Sequence, residues 1–275
     1  MRTPAADVVV RLSAPGTELL AVDREAEHHN TRAAATTGVG PPVLDYLPGR
    51  GVLVVAYLPA RTFSEADVSA NLPRIAAAVR RLHAGPAFLG RMDMFALQRR
   101  YRVLADERGM RMPPGYDELA PLAERAQAAM AAYPEALVPC HNDLLAGNFL
   151  DDGQDVRIID YEYAGMNEPA FELGNIAQES GVSDEALTGL VTDYYGRADA
   201  RLLARANVWR AISGFGWTLW GVIQDTVSVV EADYWGWAME KYESAARLLR
   251  ADRFEDLLAA AALPPSPVPA SGVRP

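Results

Sequence analysis

The chain has 275 residues, half of them hydrophobic and 23% charged, with 26 basic against 36 acidic side chains and a net charge of −10. That is ordinary composition for a globular protein with one large core or two lobes, and its acidity argues against nucleic acid as a partner, since duplex binding calls for a basic footprint. The single cysteine, Cys140, excludes an internal disulfide framework, and with no apolar run long enough for a signal peptide or a membrane span the expected location is the cytoplasm.

The first element predicted is a β-branched strand over Asp7–Leu12, broken by "APG". Glu18 to Thr37 has helical composition and stops at Gly38. "PPVLDYL" and "GVLVVAYL" read as two strands about the turn "PGRG". From Ser64 the pattern turns helical, with Leu72, Ile75, Ala76, Val79 and Leu82 on one face. Further helices are predicted over Met94–Asp106, Tyr116–Tyr133, Ala170–Glu179, Asp184–Tyr195, Leu202–Val229 and Asp233–Leu249. Between them "ALVPC", "NFLDD" and "VRIIDY" look like short strands joined by polar loops. The expected architecture is therefore α+β in two lobes, with a hinge near Leu58–Thr62. Residues 1–61 form a small β-rich lobe, 62–250 a large and mainly helical one, and 251–275 a disordered tail rich in Pro, Ser and Gly. Lys241 is the only lysine in an arginine-rich chain, which reads as coding bias.

The segment Val138–Tyr163 concentrates the chemistry. His141-Asn142-Asp143 follows an apolar strand; Asn148 comes five residues after Asp143, and Asp160 a further twelve on, at the end of "VRII". Folded as strand, loop, strand, turn, strand, the segment brings Asp143, Asn148 and Asp160 to one end. A carboxylate and an amide oxygen are hard ligands suited to Mg²⁺, and a second carboxylate can accept a proton from an attacking hydroxyl. That set meets the needs of phosphoryl transfer. Each residue alone is also a common turn residue, as in "DDG" at Asp151–Gly153; it is the joint spacing that points to a site.

"HNDLLAGNFL" followed by "IIDYEYAGMNEPAFELGN" resembles the choline/ethanolamine kinase family, within the aminoglycoside phosphotransferase and protein-kinase-like superfamily. The resemblance implies a two-lobed kinase fold using ATP and Mg²⁺ on a small-molecule acceptor. It implies Asp143 as the catalytic base, His141 as a brace of the catalytic loop, and Asn148 and Asp160 as metal and nucleotide ligands. Arg11 would contact ATP phosphates and pair with Glu27, or failing that Glu25, and the backbone around Ala56–Leu58 would meet adenine. An arginine at that position resembles the choline-kinase branch and offers phosphate a planar fork. Family members carry two further strands and a glycine-containing phosphate loop before this strand, whereas six residues precede Asp7 here; either the start is placed too late, or the small lobe lacks these elements and binds ATP more weakly.

For the acceptor, "RAISGFGWTLWGVIQD" puts Ser213, Trp217, Trp220 and Gln224 on one helical stripe, with apolar Leu202, Trp209, Ile212, Phe215 and Leu219 around it. Core aromatics are the ordinary reading of such a stripe; two tryptophans bracketed by polar residues also suit a pocket wall that holds a quaternary ammonium by cation–π attraction. The resemblance assigns Trp217, Trp220, Tyr234 and Trp237 to a choline cage, Glu179 to the acid beside the cationic head, and Glu162, Gln224 and Asp143 to the same pocket. The expected activity is transfer of the γ-phosphoryl group to the hydroxyl of a small amino alcohol, choline first. Ethanolamine or an aminoglycoside-type acceptor is the alternative, and a nucleotide-binding-impaired pseudokinase or binding protein is the reading of another class. The sequence leaves the oligomeric state open.

Overall fold

In a computed structural model, which describes residues 7–12 and 17–266, the small lobe is an antiparallel sheet and one helix. Strands β1 (Val8–Leu12), β2 (Val43–Leu47) and β3 (Val52–Ala56) pair in the order β1-β3-β2, with Arg11 opposite Leu53. Helix α1 (Arg24–Thr36) starts later than its composition suggests. The Asp23 carboxylate accepts the N–H groups of Glu25 and Ala26, both at 3.0 Å, and so caps the helix there. Upstream, a 3-10 turn over Thr17–Leu20 ends at Ala21, whose φ of 61° cannot continue a right-handed helix.

The large lobe contains α2 (Glu65–Ala70), α3 (Leu72–His83), α4 (Met94–Glu107), α5 (Ala120–Ala132), α6 (Pro169–Glu179), α7 (Asp184–Tyr195), α8 (Ala200–Val227), α9 (Tyr234–Leu249) and α10 (Phe254–Ala261). Its strands form two small sheets. β4 (Arg61–Thr62), β6 (Phe149–Asp151) and β7 (Val156–Ile158) make one, while β5 (Val138–Cys140) and β8 (Gly165–Asn167) make the other. The predicted boundary after residue 61 thus falls inside a strand of the large lobe. Residues 254–261 of the expected tail are helical instead. "FEDLLAAA" buries Phe254, Leu258 and Ala261 in the core around α8; the end of the tail lies outside the described residues.

Helix α8, about 42 Å long at 1.5 Å per residue for its 28 residues, is enclosed by α4, α6, α9 and α10, which is why it is apolar on nearly every side. Helix α6 is buried at every residue. It crosses α8 at Gly174, where an added Cβ would lie 2.5 Å from Ala206 O and 2.6 Å from Arg210 N. The two loops after β5 and β7 open on the side facing the small lobe. No helix among the described residues is long and apolar enough to cross a membrane.

Candidate active site

The catalytic segment is held from beneath by polar side chains of the buried helix α6. Glu172 accepts the backbone N–H of His141 at 2.9 Å through one oxygen and that of Asn142 at 2.8 Å through the other. Asn175 accepts the N–H of Leu144 at 2.7 Å and donates to Ser213 Oγ on α8 at 2.9 Å. Burial alone would raise Glu172, but His83, His141 and the Asn142 N–H outweigh it and hold its carboxyl below the usual range. These braces allow Asn142 a left-handed φ of 71°. Its side-chain amide donates to Tyr163 O at 3.0 Å.

His141 is fully buried and does not face the site. Its Nε2 donates to Ile159 O at 2.8 Å and its Nδ1 accepts the Asp143 N–H at 3.3 Å, which assigns a neutral Nε2-protonated ring. Burial lowers its pKa, in keeping with that state. The imidazole therefore ties the loop carrying Asp143 to the segment leading into Asp160. Asn148 donates to Asp143 O at 2.8 Å, which fixes the two residues relative to one another.

Asp160 sits at a φ of 73°, the second left-handed non-glycine position flanking the site. Its carboxylate is 42% exposed and pairs with Arg11 from β1. Arg11 also pairs with Glu162 and, at 3.1 Å, with Glu27, so the expected Arg11–Glu27 partnership is present. Glu25 instead accepts from Tyr46 Oη at 2.8 Å. Arg24 joins the same group, bonding Glu27 at 2.6 Å and Glu162 at 3.3 Å. Glu162, read as an acceptor contact, is thus engaged with two arginines of the small lobe.

Asp143 lies among carboxylates. Burial and the charges of Glu179, Asp160 and Glu162 raise its carboxyl well above the ordinary range, with Lys241 opposing them. Between the lobes is a cavity of about 570 Å³ whose walls include Val9, Leu53, Val55, Leu58 and Leu150, with Arg11 and Asp160 at one end. Apolar walls and a charged end suit a nucleobase with its phosphates directed toward Arg11. Ala56 lines the cavity, but its N–H is bonded to Pro42 O at 2.9 Å and that of Tyr57 to Asp7 O at 3.1 Å, so Ala56 supplies a wall and no backbone donor.

The aromatic stripe divides. Trp217 is 2% exposed and packs edge-on against Tyr163 at 4.8 Å, and Ser213 meets Asn175, so this half is buried. The stripe was read as a pocket wall, but through most of its length α8 is enclosed by other helices. Trp220 is half-buried, donates from Nε1 to Tyr163 Oη at 2.9 Å, and contacts Trp237 at 5.2 Å and Tyr234 at 6.0 Å. Gln224 lies half-buried a turn further on, its carbonyl accepting from Ser228 N at 2.9 Å. Glu179 is not free for a ligand through both oxygens; Lys241 on α9 pairs with Oε2 at 3.0 Å.

A two-lobed fold with an aspartate loop, a second acidic loop and an arginine-bearing strand facing one cleft defines a protein-kinase-like phosphotransferase. Residues 1–212 match the family described as phosphotransferase enzyme family. A choline/ethanolamine kinase family protein from Mesorhizobium loti superposes with a TM-score of 0.83 at 30% identity, covering 94% of this chain and 87% of that one. Among curated proteins, ethanolamine kinase 2 of Rattus norvegicus is 28% identical over 270 residues, spanning 86% of this chain and 68% of its own length. Protein LicA of Haemophilus influenzae is 26% identical over 246 residues, spanning 83% and 88%. The chain belongs to the phosphotransferase enzyme family, within its choline/ethanolamine kinase group.

Proposed function

We infer that the protein transfers the γ-phosphoryl group of ATP to the hydroxyl of a small amino alcohol of the choline and ethanolamine class. The observation that carries this reading is the proximity of Asp143, Asn148 and Asp160, the last paired with Arg11 at an apolar cleft between the lobes. The names of the relatives support the acceptor class.

The donor set fits Mg·ATP: Asn148 and the part-exposed Asp160 offer hard oxygens, and Arg11 a fork for phosphate. When bound, the metal would neutralise charge on the phosphates. Asp143 holds the acceptor hydroxyl in line and takes its proton as the new P–O bond forms and the bond from the γ-phosphorus to the bridging oxygen breaks, releasing ADP. Asn148 keeps the Asp143 backbone in place, and His141 and Glu172 fix the loop beneath it.

The test is a coupled ADP-release assay with Mg·ATP and choline, ethanolamine or an aminoglycoside, with ³¹P detection of the product. A phosphorylated amino alcohol is the expected result. Nucleotide binding with no product from any acceptor would favour a non-catalytic binding protein and overturn the reading.

A further inference from the structure

Lys241 is the one lysine of the chain, and it is buried at 4% exposure. Such a group is costly to bury unless paired. Two features compensate it: the Glu179 Oε2 atom at 3.0 Å and the face of Trp237, whose centroid lies 5.2 Å from Nζ. A side-chain ammonium thus already occupies an acid-and-aromatic corner of the kind that would hold an acceptor's cationic head. Glu179 itself is 6% exposed, and its second oxygen, Oε1, is buried with no hydrogen-bond partner. An unpartnered buried carboxylate oxygen is expensive, and a ligand donor is the natural means of satisfying it. The corner adjoins the reacting centre: Glu179 is the charge acting most strongly on Asp143, and Trp237 touches Trp220, which bonds Tyr163.

We propose that Lys241 is a specificity-determining residue: by claiming Glu179 Oε2 and the face of Trp237, it leaves the acceptor only a carboxylate oxygen that requires an N–H donor. The acceptors selected are amino alcohols whose ammonium keeps at least one N–H. A trimethylammonium group has none, and so leaves Oε1 unsatisfied while finding the Trp237 face taken. This rests on the proposed function and replaces the choline preference suggested by the tryptophan stripe.

The experiment is an acceptor ladder: ethanolamine, N-methylethanolamine, N,N-dimethylethanolamine and choline, each measured by steady-state kinetics with Mg·ATP and by calorimetric binding. In the wild type the three N–H-bearing acceptors should stay within about threefold of one another, with a loss of about tenfold or more at choline, the scale of one charged hydrogen bond. Lys241→Met frees both the carboxylate and the ring face, and the step should shrink below about threefold; Lys241→Arg should keep it. If the methionine variant does not fold, Lys241→Gln, which also vacates the ring face, serves in its place. Choline performing as well as dimethylethanolamine in the wild type, or an unchanged step in a folded Lys241→Met, overturns the proposal. Binding that follows the ladder without any turnover overturns the kinase reading and leaves the role of Lys241 standing. No binding of any of the four overturns both.

Discussion

Glu172 and Asn142 are joined by a 2.8 Å hydrogen bond from the backbone of the catalytic loop to a carboxylate on a wholly buried helix. With its other oxygen on His141 N, Glu172 satisfies two donors that nothing else there reaches. Glu172→Gln replaces one acceptor by an N–H donor facing an N–H, so a loss of about 1–3 kcal/mol in stability is expected, with reduced kcat. The sign with pH follows from its lowered carboxyl: the folded state binds fewer protons than the unfolded one, so the contribution is full above the ordinary value of 4.5 and is lost as pH falls through the lower folded value. Melting curves of both proteins at neutral pH and near pH 4 should show the gap narrowing on acidification.

Asp143→Asn should abolish phosphoryl transfer while keeping the fold. The amide preserves shape but cannot take the hydroxyl proton. Circular dichroism and nucleotide titration should match the wild type, whereas turnover within about tenfold of wild type would remove Asp143 from the role of base.

Asp160→Ala should weaken Mg·ATP binding by at least about tenfold, through loss of an anionic metal ligand. Chelating Mg²⁺ with EDTA should bring wild-type nucleotide affinity down to that of the variant, with little further effect on the variant. Calorimetry with and without EDTA on both proteins decides it.

Gly174→Ala tests the crossing of α6 and α8. The new methyl would meet backbone atoms of Ala206 and Arg210 that cannot move aside. A destabilisation of about 1–3 kcal/mol is expected, as for overpacking generally. Because Asn175 and Glu172 flank this position and hold the catalytic loop, kcat should fall along with the denaturation midpoint.

Trp220→Leu should raise the acceptor KM by roughly 3- to 30-fold, the scale of one lost aromatic contact of 0.5–2 kcal/mol. The KM for ATP should change less than about twofold, since the nucleotide cleft is lined by other residues. Steady-state kinetics against each substrate in turn separates the two.

The parts of the site close in sequence were legible. Asp143 and Asn148 lie between β5 and β6 and Asp160 just beyond β7, so the β6–β7 hairpin is enough to bring them near one another. The Arg11 partnership with Glu27 joins separate elements and was reached only through the family resemblance. Glu172 and Asn175 were missed as loop anchors, although "FELGNIA" carried a signal: two polar groups inside an otherwise apolar helix must have partners. Trp217 is buried where a pocket wall was expected, because periodicity gives a face but not what covers it, and α8 is enclosed along most of its length. Helix α10 was absorbed into a Pro-rich tail despite its amphipathic "FEDLLAAA". Lys241, read as coding bias, is half of a buried ion pair that no local pattern reveals.

The pairing of β4 with β6 places a mechanical limit on the cleft. β3 ends at Ala56 and β4, paired with β6 of the large lobe, begins at Arg61, so residues 57–60 are the whole of the link on that side. Four residues reach at most about 14 Å when fully drawn out, and Pro59 stiffens both its own φ and the residue before it. Helix α1 gives no extra slack, because Asn30 binds Leu89 N at 2.7 Å and Ala164 O at 2.8 Å in the large lobe. Any opening by movement of the three-stranded sheet would therefore be short in stroke, and it would carry Arg11 toward or away from Asp160. On the proposed function, nucleotide entry and the release of that arginine would then be a single displacement.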